Sequence, residues 1–277
     1  MARATPVFSR LGAVLRVGPE HFARRGAVVA ATEPPRGLAP RLSDLANPGI
    51  DTSRVHPAVA VFFEDTASLE LHVRSHWRFP FSIVWWLARP VMRLIGQFVL
   101  PKREARIVTR MLALDPASDG RSDVRGVIRE YEDAGTSAGT SAGPVMQVVA
   151  YATWERAGTR YMSAAFPLPG GHILGILRLD AIAEDDQGRL AVALTSERST
   201  HGDDAAIWYA LGSRGTLAVR VPLGERLSLW AAEMDVAPSE IDRAPLPGAT
   251  IVGRHEQRAF GIRFVTHHYL FRPLSPR

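Results

Sequence analysis

Four residues of one short segment have the chemistry needed for proton transfer. Glu70, His72, Arg74 and His76 occupy every second position of Leu69–Trp77, and residues two apart on a β-strand point to the same side. Two imidazoles beside a carboxylate can exchange protons near neutral pH, and a guanidinium can bind an anionic or carbonyl group. If this face lines a cavity, we predict that Glu70, His72 and His76 are catalytic and that Arg74 binds the substrate.

The same row has two other interpretations. A strand with water on one face shows the same alternation of polar and apolar residues. A shared metal ion is disfavoured, because four residues along a strand separate the Cα atoms of His72 and His76 by about 13 Å. We therefore expect no metal, and a solvated face remains the alternative to a cavity wall.

Further histidines lie at the ends of strand-like segments. His172 follows the turn Pro169-Gly170-Gly171, where it is a candidate ligand contact or an ordinary exposed or capping residue. A phosphate loop is disfavoured, because that loop needs a Lys-Ser/Thr pair opening a helix. His267 and His268 fall on opposite faces of one strand, so at least one should point inward. Glu256 is the expected partner of the inward-pointing histidine, and we predict His268 as a further catalytic residue, the alternative being a core histidine with satisfied hydrogen bonds.

Composition excludes several kinds of chemistry. The 277 residues include no Cys, which removes disulfides, thiolate zinc sites and cysteine nucleophiles. Lys102 is the only lysine among 33 basic residues and lies in a polar run, which disfavours lysine nucleophiles. The His-Glu-x-x-His and Gly-x-Gly-x-x-Gly motifs are missing, so zinc proteases and dinucleotide-dependent enzymes lose their usual support. We expect no cofactor.

The basic charge is concentrated at the N-terminus. Residues 1–50 contain seven Arg and three acidic residues, so most of the formal net charge of +5 lies there and residues 51–277 are nearly neutral. A nucleic-acid-binding domain would concentrate Arg along a groove or stripe, so we expect no nucleic-acid partner. We predict that residues 1–50 form a basic, poorly ordered and dispensable extension, and that residues 51–277 form one β-rich domain.

The segment Phe79–Leu100 is the most apolar part of the chain, but Arg89, Pro90 and Arg93 lie at its centre. Charges are costly in a bilayer core and Pro interrupts helices, so we do not predict a membrane span. Because no apolar run of secretory length precedes residue 51, we predict a cytoplasmic protein. Residues 80–99 are expected to form a helix, bent or broken at Pro90, that covers a sheet; a membrane-surface helix is the alternative.

Alternating apolar residues predict strands through the remaining chain. A short helix starts at Pro57 and a strand follows over residues 68–77. Eleven more segments have strand character, namely 106–114, 124–131, 145–154, 159–166, 173–180, 189–196, 205–211, 214–222, 226–233, 249–259 and 262–272. Strands at this spacing predict a mainly β (β-rich α+β) protein: an antiparallel calycin-like barrel or related sandwich with one or two covering helices. The Gly-Thr-Ser-Ala repeat within residues 134–144 is expected to be a flexible hairpin loop.

Several short motifs resemble those of a bacterial domain family of unknown activity. They are His56-Pro57-Ala58-Val59, Phe62-Phe63-Glu64, Leu100-Pro101, Asp119–Asp123, Tyr161-Met162, FPLPGG at 166–171, ILRLD at 176–180, RHEQRAFGIRF at 254–264, and Tyr269. Together they resemble the soluble domain found with, or fused to, YndJ-like membrane proteins, and its stand-alone actinobacterial relatives. The resemblance spans about residues 55–272 and implies a shared fold and no established activity.

Two classes of function fit a β-barrel of this composition. The favoured hypothesis is the binding or sequestration of a hydrophobic small molecule or lipid, since Trp85, Trp86, Trp154, Trp208 and Trp230 are available to line a pocket. The alternative is a cofactor-independent cyclase, isomerase or hydrolase that uses the histidines and Glu70 for acid–base chemistry.

The predicted ligand contacts in either case are Arg74, Trp85, Trp86, Tyr161, His172 and Tyr269. Association with a membrane surface or a membrane protein is a further hypothesis.

Overall fold

The computed structural model describes residues 6–12, 15–101, 103–132, 144–197, 204–212 and 217–274. Within them, the alternating segments form twelve strands of one sheet. The strands are β1 Leu69–Trp77, β2 Glu104–Ala113, β3 Arg125–Tyr131, β4 Val145–Arg156, β5 Thr159–Leu168, β6 Gly171–Glu184, β7 Leu190–Thr195, β8 Ala206–Leu211, β9 Leu217–Arg220, β10 Leu223–Ala231, β11 Ile251–Ala259 and β12 Ile262–Pro273.

Ten of these strands close into an antiparallel barrel, which confirms the predicted fold class. The order around the barrel is β5-β4-β3-β2-β1-β12-β11-β10-β7-β6, and β6 also pairs with β5. The long β6 closes the ring because residues 171–178 pair with β5 while residues 178–184 pair with β7. Strands β8 and β9 continue from the free edge of the first half of β6.

Two of the four α-helices in the described residues, α2 and α3, cover the ends of the barrel. The four are α1 His21–Arg24, α2 Pro57–Glu64, α3 Phe81–Ile95 and α4 Pro116–Asp119, with 3₁₀ turns at Leu42–Leu45, Thr52–Arg54 and Thr66–Ser68. Helix α2 precedes β1 and buries Val59, Phe62 and Phe63 in the larger apolar core, closing one end. Helix α3 follows β1, so it covers the opposite end, and it continues through Pro90 without a break.

The N-terminal residues pack against the barrel instead of forming a poorly ordered extension. Phe22 is fully buried in a core on the outer face of the wall, and Leu38, Leu42 and Leu45 are buried with α2 at the closed end. Residues 6–12 and 15–50 are therefore packed and not poorly ordered, whereas the prediction that residues 1–50 are dispensable stays a prediction. The packing was not expected because Phe22, Leu42 and Leu45 lie on four-residue helical segments that are too short to show a periodic pattern.

A buried ion pair fastens this N-terminal segment to the outer wall. Arg121 Nε donates to Asp119 Oδ1 at 2.6 Å, and both residues are almost completely buried. Ser9 Oγ donates to Asp119 Oδ2 at 2.5 Å, and Arg121 also donates to the carbonyl of Ala150 and to Ser163 Oγ. The charges are thus paired and hydrogen-bonded, as buried charges must be.

Candidate functional site

The closed barrel encloses a cavity of about 560 Å³ between α2 and α3. Its wall is mostly apolar because alternate residues of each strand point inward; Leu71 and Phe271 are examples. Phe62 of α2 and Leu38 line the closed end, and Trp85 of α3 lines the covered end. Pockets of this size and character typically hold small organic ligands.

Helix α3 is attached to the barrel on both sides of the opening. Before the helix, Arg78 N donates to the carbonyl of Phe264 in β12, and the rings of Phe81 and Phe264 are 5.9 Å apart. After the helix, the buried Gln97 side chain donates to the carbonyls of Val148 in β4 and Pro167 in β5 and accepts from Val148 N. These contacts hold α3 across the opening as a lid.

A polar cluster interrupts the apolar wall. His255 Nε2 lies 3.1 Å from Glu225 Oε2, and His255 Nδ1 lies 3.2 Å from the hydroxyl of Tyr269. His267 Nδ1 shares a hydrogen bond of 2.7 Å with Ser75 Oγ, while its buried Nε2 has no partner. Burial lowers the pKa of His267 well below its usual range and raises that of Tyr269. His267 is therefore neutral at physiological pH and Tyr269 keeps its proton.

Two arginines line the same cavity, and Arg258 is paired with Glu197 and Glu256 whereas Arg129 is not. Arg129 of β3 lines the wall opposite Gln147 of β4 and is 8% exposed, yet its Nε has no hydrogen-bond partner. Tyr151 and Tyr269 are close enough for the Arg129 charge to lower the pKa of each hydroxyl, although burial raises both pKa values by more. Arg129 is thus a buried positive charge facing two phenols and an amide.

The predicted row of Glu70, His72, Arg74 and His76 lies on the outside of the barrel. The alternate residues Leu71 and Trp77 line the cavity, so the even-numbered side chains of β1 point away from it. The placement of this row on the inner wall is therefore wrong. The alternation was read correctly, but it defines two faces without saying which of them faces the interior.

Outer-wall neighbours occupy much of this row. Glu70 accepts from Arg272 at 2.5 Å, and Arg74 lies 3.4 Å from Asp242. The rings of His76 and His268 are 4.8 Å apart, and burial lowers the pKa of both imidazoles. His268 thus belongs to the outer face and His267 to the inner one, while the predicted partner Glu256 pairs with Arg258 and Arg263 instead.

The remaining predicted contacts are divided between inside and outside. Trp85 and Tyr269 line the cavity. Trp86 is 65% exposed on the outer face of α3, and Tyr161 is buried on the outer wall against Trp154. His172 is buried on the outer wall beside Phe8, so its predicted contact with a ligand in the cavity is wrong.

The indole rings are divided in the same way. Trp77 and Trp85 line the cavity, whereas Trp154, Trp208 and Trp230 do not. The Gly-Thr-Ser-Ala repeat, which contains the letters Gly-x-Ser-x-Gly, lies outside the described residues, as does Lys102.

The inner polar residues Arg129, Tyr151, Glu225, His255 and His267 were missed from the sequence. The pattern of β12 contained a usable signal for His267, because that residue shares a face with Tyr269 and Phe271. Arg129 gave no such signal, since both faces of β3 carry apolar and charged residues.

A second cavity of about 680 Å³ lies outside the barrel wall, between the N-terminal segment and β4 and β5. Five of its six charged lining residues are already paired, Asp123 being the sixth: Arg41 lies beside Asp44, Arg121 binds Asp119, and Arg160 binds Glu155. The inner cavity, whose polar groups include unpartnered ones, is the better candidate site.

Comparison with known proteins leaves the resemblance to the YndJ-associated domain as a prediction. No protein-family model matches the chain, and neither the curated proteins nor the solved structures include a significant match. In the described part of the chain, no helix is long and apolar enough to cross a membrane. No three His, Asp or Glu side chains there are grouped to hold a metal ion.

Proposed function

We propose that this protein binds an apolar small molecule or lipid inside its barrel. The observation that carries the proposal is the cavity of about 560 Å³, which is lined mainly by apolar side chains and roofed by an aromatic helix. A ligand that buries about 300 Å² of apolar surface would gain roughly 7 kcal/mol on leaving water. Lost motion of the ligand offsets part of that gain, so apolar burial alone places a ligand roughly between the micromolar and millimolar range.

The attachment of α3 supports a role as a movable lid. No residue of α3 is fully buried, although the helix is strongly amphipathic. Segments with few buried contacts open at lower free energy than the core does. Local opening of α3 would therefore let a ligand enter without unfolding the barrel.

The Glu225–His255–Tyr269 chain supports a second candidate function. A carboxylate that orients an imidazole, which in turn contacts a phenol, is an arrangement able to move a proton to or from a bound ligand. It lies on the wall of the mostly apolar cavity. Cofactor-independent isomerisation or hydrolysis of an apolar substrate is accordingly the alternative to simple binding.

The direct test is native mass spectrometry of protein purified from its source organism. A retained apolar ligand supports binding, and conversion of that ligand during incubation supports catalysis. For a solution measurement, delipidated protein is titrated with a fluorescent apolar probe.

A cavity-filling variant provides the contrast. Ala164 lines the cavity, so Ala164→Phe should weaken probe binding, whereas Leu217→Phe on the exposed face of β9 should not. Circular dichroism checks that both variants fold. Equal probe binding by the two variants would contradict binding inside the barrel.

A further inference from the structure

Arg129 is a buried cation whose partner is missing from the described residues. Its Nε is buried without a hydrogen bond, and among the residues that the structure describes no ion pair reaches its guanidinium. Glu225 is the only acidic side chain among the described residues that line the cavity, and it is bonded to His255. A buried guanidinium is costly unless an anion pairs with it, so Arg129 favours a ligand that carries one.

The neighbours of Arg129 are suited to the same anion. Tyr151 keeps its proton in the folded protein because burial raises its pKa, and a phenol can donate one hydrogen bond, whereas the Tyr269 hydroxyl is already engaged with His255. The side chain of Gln147, on the neighbouring strand, lines the same cavity and has two N–H donors. A planar guanidinium binds both oxygens of a carboxylate at once.

We propose that Arg129 binds the carboxylate of an amphipathic ligand whose hydrocarbon chain fills the apolar part of the cavity. A long-chain fatty acid has this chemistry, with one negative charge for one unpaired cation. The inference rests on the proposed function and adds the class of ligand to it.

The experiment compares hexadecanoic acid with hexadecan-1-ol, which differ only in the head group. Delipidated wild-type protein should bind the acid at least about tenfold more tightly than the alcohol, the scale of one lost charge-assisted bond. Arg129→Met should remove that preference, so that the variant binds the acid no more tightly than the alcohol. Arg110→Met is the matched control, because Arg110 is paired with Glu130 and does not line the cavity.

The outcomes separate the two proposals. Equal binding of acid and alcohol by the wild type, or an unchanged preference in Arg129→Met, overturns the role of Arg129 and leaves apolar binding in place. Failure to bind either compound overturns the proposed function and this inference together. Thermal unfolding without ligand adds an independent readout: Arg129→Met should be no less stable than wild type, and a loss of stability would mean a structural role.

The outer face of α3 carries a second inference, on separate observations. Ile83, Trp86, Leu87, Val91 and Leu94 are each more than half exposed there. Exposed apolar patches of this kind mark interaction sites.

The patch continues beyond the helix. Phe79 is 80% exposed just before α3, and Phe260 and Ile262 at the turn between β11 and β12 are 80% and 57% exposed. That turn adjoins the start of the helix, because Arg78 N donates to the Phe264 carbonyl.

The positive charges around this patch favour an anionic partner. Residues 78–103 include no acidic residue, while Arg78, Arg93 and Arg103 are exposed there. A second copy of the chain would bring these arginines towards each other across a symmetric contact, which is unfavourable. Exposed Trp, Leu and Phe beside Arg are instead typical of surfaces that bind anionic lipid headgroups.

We infer that this face docks on an anionic membrane. The cavity lies directly behind the helix, so docking would place the lid against the lipid surface. The inference does not depend on Arg129 or on what fills the cavity.

Co-sedimentation with vesicles tests it. Wild-type protein should bind phosphatidylcholine vesicles that contain phosphatidylserine and bind pure phosphatidylcholine vesicles more weakly. Trp86→Ser combined with Leu87→Ser should reduce binding at least about tenfold, since two large side chains leave the apolar phase. Leu217→Ser with Val219→Ser, on the exposed β9, is the control.

Wild-type protein that stays in the supernatant, or a double variant of α3 that binds like wild type, overturns the inference. Analytical ultracentrifugation tests the alternative, in which a second copy of the chain covers the patch. A wild-type dimer that the α3 substitutions dissociate would mean that a second copy covers the patch, which also overturns it.

Discussion

The two sides of the barrel wall carry the same kinds of polar residue in different states. Outside, Glu70 binds Arg272, and the tilted rings of His76 and His268 are in contact. Inside, the buried Nε atom of Arg129 has no hydrogen-bond partner. Neighbouring charges pair with outer groups such as Glu70 and Arg74, whereas Arg129 is buried in a mostly apolar cavity; His172 is an exception on the outer wall, because its buried ring nitrogens have no partner.

This difference teaches that exposure decides which polar group is a candidate for function. A polar residue on a solvated wall costs little free energy and needs no explanation. An unpaired charge inside a cavity is costly, so its presence indicates a ligand that completes it. The predictions below test whether the inner and outer residues divide as this comparison requires.

Removing the N-terminal segment should have the largest effect. Deletion of residues 1–50 would uncover the outer core around Phe22 and remove Leu42 and Leu45 from the closed end of the barrel. We expect no cooperative unfolding transition for the truncated chain by circular dichroism in urea. Deletion of residues 1–5 alone is the control, and a wild-type transition after the longer deletion would show that the segment is dispensable.

Arg121→Met should come next, because it leaves Asp119 charged, buried and unpaired on the outer wall. We expect a loss of about 3–5 kcal/mol in the free energy of unfolding. Arg160→Met breaks an exposed pair with Glu155 and should cost less than about 1 kcal/mol. Urea denaturation measures both, and similar small losses would contradict the assignment of the buried pair as the fastening of the N-terminus.

The pH dependence of stability should reflect His172. Burial, and then the charge of Arg121, lower the pKa of His172 from 6.5 to about 4, so the unfolded chain binds a proton more readily than the folded one. Stability from this residue is complete above the unfolded pKa and falls between pH 6.5 and about 4, by about 3 kcal/mol in total.

His172→Leu should flatten that dependence, and urea unfolding at about pH 7.5 and about pH 4.5 measures it. His76→Gln, at an exposed position, should keep most of the wild-type slope. An unchanged slope in His172→Leu would mean that other buried histidines, such as His267, account for the effect.

Within the cavity, His255→Gln should weaken ligand binding and cost about 1–3 kcal/mol of stability, because Glu225 loses its partner. Glu225→Gln combined with His255→Gln should recover part of that stability, which a double-mutant cycle measures. If the effects of the two changes simply add, the two side chains are not coupled. If the protein is an enzyme, His255→Gln should also abolish turnover.

The smallest effects are expected on the outer row. His72→Gln and His76→Gln, made separately, should leave ligand binding unchanged. His76→Gln, at an exposed position, should change stability by less than about 1 kcal/mol, whereas His72 is buried and its substitution should cost more. Isothermal titration with the ligand and thermal unfolding measure the two quantities. Loss of binding or turnover in either variant would contradict the assignment of function to the inner residues and would make the outer row a candidate site again.

Most of the fold could be predicted because apolar and polar residues alternate along a strand with a period of two residues. Each predicted strand from residue 68 onwards is present, with ends displaced by a few residues, and the helix over 81–95 covers one end of the barrel. The N-terminal segment was misjudged although Leu38, Leu42 and Leu45 have the i, i+4, i+7 spacing of a helix, because Pro40 and Pro48 interrupt this short stretch. Such residues are recognised as core only when the surface that receives them is known.

The site was harder to predict for a different physical reason. In this barrel both faces of the wall are partly buried, since the N-terminal segment covers part of the outside. Hydrophobic alternation then no longer distinguishes inside from outside. His267 and His268 illustrate this: Tyr269 and Phe271 favour the face of His267, but Phe264 and Leu270 on the face of His268 leave the choice open until the closure of the barrel is known.

Gln97 fixes the C-terminal end of α3, so an opening movement of the lid would turn about this residue. Its side chain forms three hydrogen bonds that bridge β4 and β5, just where those two strands stop pairing with each other. The other end of α3 is held by a single backbone hydrogen bond, from Arg78 to Phe264, and by ring contacts. Force on the helix would therefore release the Phe81 end first. The helix would then rotate about its C-terminal end, and a ligand would enter beside the hairpin of β11 and β12.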